Sequence, residues 1–517
     1  MRRTITGVLG LVVLAATALG GAPSALAAPA SDARGPVAGP VPKVSLITGG
    51  AGTPSVASTS FDLGPFGYTE EEFLVAGTAT AYGSAEPLTS NGKWTLTPGS
   101  TAPYATRIVV IRPTAAAKFS GSVYQEWLNV SAGFDSAPSW SLAHLELLRE
   151  GAAWVGVSAQ AVGVQGGQST VAGVQAGGLK GGDPARYGAL DHPGDSYSYD
   201  LFTQVARAVR ASSTTKVLGA LVPKRVVATG ESQSATRLVT YVDGIQPLTR
   251  AFDGFLIHSR FGSAAAVSQA PLPAVPAPVP TFIRPDVGVP VLQFETETDV
   301  GPLGFAVARQ KDTPTLRTWE VAGTAHADAY SGSLGFGDVG DGSVERALLD
   351  YSAPSRGPLN CSTPVNSGLH YAVLMAAYHH FDAWVRGGAA PPVSPQIAVT
   401  EGAPRLLGPP GSPTVPSYVI TRDPEGNAVG GIRTPVVDAA RAVVSGDPND
   451  GGSFCTLFGK TIPFGVATVS EKFPSRAAYV QAFTRSARKA AKAGFLLAPE
   501  VKRLEAAAGA VPFPGVS

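Results

Sequence analysis

Residues 225–235 read RVVATGESQSA, and residues 236–241 continue as TRLVTY. The apolar start is typical of a strand buried on both faces, and the apolar spacing that follows is typical of a helix. A serine in a tight turn between two such elements projects from the carboxyl edge of a sheet. The turn requires small residues two positions before and two positions after the serine. Gly230 meets this condition, and Ser234 stands where glycine is more usual. We therefore predict a strand–turn–helix unit that presents Ser232, with an ordinary helix N-cap serine as the alternative.

Other apolar runs of strand length surround this unit. They lie at residues 107–112, 123–130, 153–158, 254–258, 289–294 and 317–321. Segments of helical pattern lie between several of them, at 141–149, 197–211 and 233–243. Strands that alternate with helices favour parallel pairing with right-handed crossovers. The fold class predicted is α/β, with a mostly parallel central sheet flanked by helices.

The two ends of the chain have different patterns. Short β-type runs with turn signals predict an N-terminal β extension, and after residue 386 a mixed region precedes a basic helix at about 475–493. The resulting division is a β extension at 43–105, an α/β core at 106–395, and a C-terminal mixed β/helical region packed on the core at 396–517.

The first 27 residues have the pattern of an export signal. Arg2 and Arg3 precede an apolar run at residues 7–19, and Ala25-Leu26-Ala27 is a small-x-small cleavage sequence. We expect cleavage near Ala27, a flexible leader at 28–42, and a secreted or extracytoplasmic protein. A retained anchor and a buried N-terminal helix are the alternatives. No later stretch holds 18 uninterrupted apolar residues, so we expect no integral membrane segment in the mature chain.

Composition excludes some classes of function. The 517 residues are 44% hydrophobic and 15% charged with a formal charge of +1, which argues against a nucleic-acid binder. The only cysteines, Cys361 and Cys455, are expected to form a disulfide in an oxidising compartment, the alternative being two buried thiols. Neither cysteine has the spacing of a zinc site, and we predict no metal and no cofactor.

A nucleophilic serine needs a base, and the base needs a carboxylate to orient it. His326 lies in a glycine-containing loop after the last apolar run, which brings its ring to the edge where Ser232 is expected. Between the two in sequence, the turn ETETDV (295–300) offers Asp299, with Glu297 as the alternative acid. The order serine, acid, histidine is one of the known triad orders.

The remaining histidines of the second half have simpler interpretations. His370 opens a helix and is expected to be a capping or surface residue, and His379 and His380 are expected to be packing or surface residues.

Four motifs give the chain a resemblance to esterase-like α/β-hydrolase domain proteins over about residues 60–500. They are Glu126–Ser131, His192–Asp200, Gly230–Ser234 and Gly323–Asp328. The resemblance implies the α/β-hydrolase fold and a serine mechanism, and it implies little about the substrate.

An oxyanion hole and a substrate pocket should lie near Ser232. The N–H of Gln233 is one expected oxyanion donor, and Ala132 or Gly133 supplies the other. Their neighbourhood and the resemblance imply substrate contacts for Glu231 and Asp195, and His258, at the end of an apolar run, is a further candidate for the lining of the pocket. Surface or capping roles are alternatives for Glu231 and Asp195, and His258 could instead be a buried, hydrogen-bonded residue.

The predicted activity is hydrolysis of a small-molecule or polymeric carboxylic ester through an acyl-enzyme. A peptidase or amidase on the same fold and a non-catalytic hydrolase-like binding protein are the alternatives. The sequence does not determine the oligomeric state.

Overall fold

The structure is a computed structural model that describes residues 39–168, 175–406, 414–452 and 454–513. The expected signal peptide, and the leader up to residue 38, lie outside the described residues.

Within the described residues, the strands form one nine-stranded central sheet and three two-stranded antiparallel sheets. In chain order they are β1 (Lys43–Leu46), β2 (Tyr68–Gly83), β3 (Thr97–Pro113), β4 (Ser122–Trp127), β5 (Ala153–Val157), β6 (Gly167–Gln168), β7 (Gln175–Ala176), β8 (Arg225–Glu231), β9 (Gly254–His258), β10 (Val291–Thr296), β11 (Leu316–Val321), β12 (Val399–Leu406), β13 (Thr414–Ile420), β14 (Ala442–Ser445) and β15 (Lys460–Pro463).

The helices of the described chain vary from one turn to almost five. They are α1 (Pro138–Arg149), α2 (Ala161–Gln165), α3 (Gly178–Gly182), α4 (Pro184–Tyr187), α5 (Ser198–Arg210), α6 (Ser212–Thr215), α7 (Gln233–Thr240), α8 (Gln246–Thr249), α9 (Glu297–Val300), α10 (Ala329–Gly332), α11 (Ser343–Leu349), α12 (His370–Val385), α13 (Pro435–Asp438), α14 (Val466–Lys472), α15 (Arg476–Lys492) and α16 (Ala498–Ala510).

The central sheet has the order β1-β2-β3-β5-β4-β8-β9-β10-β11. Every pair from β5 to β11 is parallel, and the pairs among β1, β2, β3 and β5 are antiparallel. The prediction of an α/β fold with a mostly parallel sheet is confirmed.

Helices cover both faces of the sheet, and this explains the unbroken apolar runs. In β8, Val227 packs in the hydrophobic cluster that contains residues of α1 and α12, whereas Val226 and Ala228 pack in the cluster that contains residues of α5 and α7. Successive strand residues point to opposite faces, so a strand covered on both sides needs apolar residues at every position.

The N-terminal β region is continuous with the central sheet. Strand β3 runs from Thr97 to Pro113 and pairs with both β2 and β5, so residues 105 and 106 lie within a single strand. The boundary expected between the β extension at 43–105 and the core at 106–395 therefore lies inside β3.

The C-terminal region packs on the same core. Phe483 of α15 and Leu504 of α16 belong to the cluster that contains α1 and α12. A disulfide joins Cys361 to Cys455, with a Cα–Cα distance of 5.6 Å. Within the described residues, no helix has both the length and the hydrophobicity needed to cross a bilayer.

Candidate active site

Ser232 occupies a strained turn between β8 and α7. Its backbone has φ 64° and ψ −123°, a conformation that is rare for a residue with a side chain. The Ser232 N–H donates to the carbonyl of His258 at the end of β9, over 3.0 Å. A Cβ placed on Gly230 would lie only 3.1 Å from the Cβ of Ser234, so the two flanking positions need small residues.

Three side chains from separate segments of the chain meet at the carboxyl edge of the sheet. The hydroxyl Oγ of Ser232 lies 2.8 Å from Nε2 of His326, and Nδ1 of His326 lies 2.6 Å from Oδ1 of Asp299. Ser232 follows β8, Asp299 lies in α9 after β10, and His326 follows β11. Parallel pairing from β8 to β11 places the ends of these strands side by side, which is why residues 94 positions apart can touch.

Asp299 is held by the strand that precedes it. The N–H and the hydroxyl of Thr296 each donate to its Oδ2 at 2.7 Å, which leaves Oδ1 for His326. Burial alone would raise the pKa of Asp299, but the charge and hydrogen bond of His326 and the bonds from Thr296 lower that pKa below its usual value. Asp299 is therefore a carboxylate in this site.

The alternative acid, Glu297, has other partners. Its carboxylate accepts hydrogen bonds from Gly323 N at 2.5 Å, Gly446 N at 3.0 Å and the guanidinium of Arg422 at 3.2 Å. The structure thus places Asp299, and not Glu297, against His326.

Glu231 lies on the other side of the imidazole. Its Oε1 is 3.2 Å from Nε2 of His326, and its Oε2 accepts a hydrogen bond from Nδ2 of Asn129 at 3.1 Å. Burial raises the pKa of Glu231 to about 7, against the opposing effect of His326. Burial lowers the pKa of His326, but the charges of Glu231 and Asp299 outweigh burial and raise that pKa to about 9.

His258 and His370 form a buried pair close to the site. Their Nε2 atoms are 2.7 Å apart, and neither side chain is exposed to solvent. The ring of Phe294 stacks on His370 with centroids 5.5 Å apart. Burial lowers the pKa of His370 to about 4 and the pKa of His258 well below its usual value. Both rings are therefore neutral at ordinary pH. The expectation of a surface or capping role for His370 is wrong, because α12 begins inside the core, and His258 is a buried, hydrogen-bonded residue.

The surroundings of Ser232 narrow the choice of oxyanion donors. Gln233 is the first residue of α7, so its N–H has no partner inside that helix. In the loop after β4, the N–H of Gly133 donates to the carbonyl of Val130 at 2.8 Å. The N–H of Ser131 donates to the side chain of Asn129 at 2.8 Å. Ala132 therefore remains as the candidate second donor, and Gly133 does not.

Asp195 anchors a polar network beside the serine. Its carboxylate accepts hydrogen bonds from Arg237 at 3.0 Å, Gln269 at 2.8 Å and Gln160 at 3.1 Å. The side chain of Gln233 donates in turn to Gln160. Because its carboxylate is held by these partners, Asp195 fixes the wall of the site. Asp195, Gln233 and Gln269 are all half-buried.

One group of potential metal ligands converges elsewhere in the described chain. Ligand atoms of Glu146, Glu150 and His379 lie within 4.8 Å of one another. The His379 ring already bonds both carboxylates, and Arg149 pairs with Glu146. The group is therefore a satisfied ion-pair cluster between α1 and α12.

Comparisons with known proteins identify the family. The profile of a family described as an alpha/beta hydrolase domain matches residues 37–506, most of the chain. The chain belongs to this family. A search of curated protein sequences found no match.

Solved structures similar to this α/β hydrolase cover about half of it. One is a member of the α/β serine hydrolases without a lid from Xanthomonas campestris, with 12% identity, coverage of 47% of this chain and 83% of that chain, and a TM-score of 0.25. Another is the esterase domain of a Rhodothermus marinus protein, with 10% identity, coverage of 47% and 86%, and a TM-score of 0.24. A third is the rice cell wall degrading esterase LipA from Xanthomonas oryzae, with 12% identity, coverage of 43% and 50%, and a TM-score of 0.23.

Three residues around the site of the α/β hydrolase, Thr296, Asn129 and Phe261, were not predicted from the sequence. Thr296 and Asp299 form a reciprocal capping box, and the T-x-x-D spacing of residues 296–299 is a signal that could have revealed it. Asn129 bonds both the carboxylate and the main-chain carbonyl of Glu231 at 3.1 Å. Its only sequence signal is a polar side chain just after a buried strand. Phe261, half-buried with its ring 6.1 Å from that of His326, gave no signal at all.

Proposed function

We propose that this α/β hydrolase is a serine hydrolase that cleaves carboxylic esters through an acyl-enzyme, with Ser232, His326 and Asp299 as its triad. The observation that carries the proposal is the continuous hydrogen-bonded chain from the Ser232 hydroxyl through both ring nitrogens of His326 to Asp299. A neutral hydroxyl is a poor nucleophile, and such a chain supplies the base that activates it.

In the proposed reaction, Oγ of Ser232 bonds to the ester carbonyl carbon while its proton passes to Nε2 of His326. The N–H groups of Gln233 and Ala132 stabilise the oxyanion. The bond from carbon to the alcohol oxygen then breaks, and His326 gives its proton to that oxygen. Water repeats both steps and releases the acid, which regenerates the serine.

Turnover of short p-nitrophenyl esters, compared with that of peptide anilides, tests the reaction class. We expect ester hydrolysis by the wild type and its loss in Ser232→Ala. Faster cleavage of anilides than of esters would identify a peptidase or amidase. Absence of both activities in a folded protein would favour a binding protein.

We also propose that the chain is exported and cleaved after Ala27. The signal-like residues 1–27 and a disulfide between Cys361 and Cys455 support this proposal, since disulfides persist in oxidising compartments. N-terminal sequencing of the protein from the medium or periplasm of a bacterial host tests it. A first residue of Ala28 is expected, and an uncleaved chain retained in the cytoplasm would contradict it.

A further inference from the structure

The Nε2 atom of His326 faces two oxygen atoms and not only the serine. Ser232 Oγ lies 2.8 Å away and Glu231 Oε1 lies 3.2 Å away. Asp299 approaches the opposite nitrogen, Nδ1, at 2.6 Å. The imidazole is thus placed between two carboxylates, one at each nitrogen, whereas the triad itself requires only one.

The position of Glu231 is fixed by its surroundings. It is the last residue of β8, its side chain is buried, and Nδ2 of Asn129 binds both its Oε2 and its main-chain oxygen at 3.1 Å. Asn129 is itself held by two backbone hydrogen bonds with Ser136, each of 2.9 Å. Because Oε2 is taken by Asn129, Oε1 is the oxygen that is directed at His326.

The other titratable groups around the ring cannot replace Glu231. They are Asp299 from α9, His258 from β9 and His370 from α12. The two histidines are neutral, and the charge of Asp299 lies on the Nδ1 side. Above its pKa of about 7, Glu231 is therefore the negative charge next to the nitrogen that must carry the serine proton.

We propose that Glu231 is a positioning residue that stabilises the protonated form of His326 and holds its Nε2 over Ser232. The catalytic meaning of this role rests on the proposed function. When the serine proton reaches Nε2, the positive ring lies between two carboxylates. The proton then leaves to the alcohol oxygen, so no step transfers a proton to or from Glu231 and no additional reactant is needed.

The test compares the titration of His326 in the wild type and in Glu231→Gln. Histidine labelled with 13C at Cε1 is incorporated, the His326 signal is assigned by its loss in His326→Ala, and its chemical shift is followed against pH. Loss of an adjacent negative charge should lower the midpoint by about one to two pH units. The pH profile of ester hydrolysis should shift downward by the same amount, since the active base is the neutral ring.

Glu86→Gln is the matched control. Glu86 is exposed in the turn between β2 and β3, so the same change of charge is made where solvent screens it. Its midpoint should equal that of the wild type. Glu231→Asp keeps the charge but moves it away from His326, because the aspartate side chain is shorter. It should give an intermediate midpoint, and it replaces Glu231→Gln in the test if that variant fails to fold.

An unchanged His326 midpoint in folded Glu231→Gln or Glu231→Asp would overturn the proposal. The NMR titration needs no turnover, so it separates the two hypotheses. A shifted midpoint in a protein that hydrolyses no ester would leave the role of Glu231 supported and the proposed activity wrong.

Discussion

At the residue scale, the orientation of His326 depends on Asp299. The carboxylate fixes which ring nitrogen carries the proton, and Thr296 fixes the carboxylate. Replacement of Asp299 by Asn should therefore reduce kcat by about 10³–10⁴-fold, because the amide favours the wrong tautomer. Ester turnover measures this effect. Glu297→Gln, which alters a carboxylate that has other partners, should cost far less. The opposite ranking in folded proteins would assign the acid to Glu297.

The pKa of His326 makes a second prediction at this scale. Glu231 and Asp299 raise it to about 9, and only the neutral ring can accept the serine proton. Hence kcat/KM should be low at neutral pH and should rise with a midpoint near pH 9. A pH–rate profile with a non-ionising ester measures it. A midpoint at or below about 6.5, the ordinary histidine value, would contradict the electrostatic description.

At the element scale, the turn from β8 to α7 requires close packing. A Cβ on Gly230 would lie 3.1 Å from Ser234 Cβ and 3.3 Å from a methyl of Leu238. Gly230→Ala should reduce the free energy of unfolding by about 1–3 kcal/mol through overpacking, as measured by urea denaturation. Gly83→Ala is the control, since nothing lies within 4 Å of its added Cβ, and its effect should stay within about 0.5 kcal/mol. Equal effects of the two substitutions would refute the close approach.

The elements were predictable where burial on both faces leaves an uninterrupted apolar pattern. Strands β9 and β11 lie within one residue of their predicted bounds, β8 begins at Arg225 as the apolar run does, and α12 begins at His370 as expected. Part of β3 was expected as the apolar run at 107–112. Its start at Thr97 was not predictable, because Pro98, Gly99 and Pro103 are signals of a turn and not of a strand.

The same limit applies inside the site. Chain order and strand ends indicated Ser232, His326 and Asp299. The contacts of Glu231 with His326 and of His258 with His370 depend on side-chain packing between segments far apart in sequence, 112 residues in the second case. Composition and periodicity carry no information on such pairs.

At the scale of the whole molecule, the disulfide links the segment before α12 to the C-terminal region. Cys361 and Cys455 are 94 residues apart and fully buried. Serine at both positions should lower the free energy of unfolding by about 2–5 kcal/mol, since the unfolded chain loses a long covalent loop. Urea unfolding of the double variant measures this loss. The wild type with its disulfide reduced should show the same decrease in the free energy of unfolding. Identical stability with and without the bond would contradict the pairing.

The most direct test of the proposed triad is mass spectrometry after reaction with a fluorophosphonate, which modifies only an activated serine. The expected result is a single adduct on the peptide that contains Ser232, strongly reduced in His326→Ala. An adduct on another serine, or no adduct on the folded wild type, would contradict the proposal that Ser232, His326 and Asp299 form a working nucleophilic site.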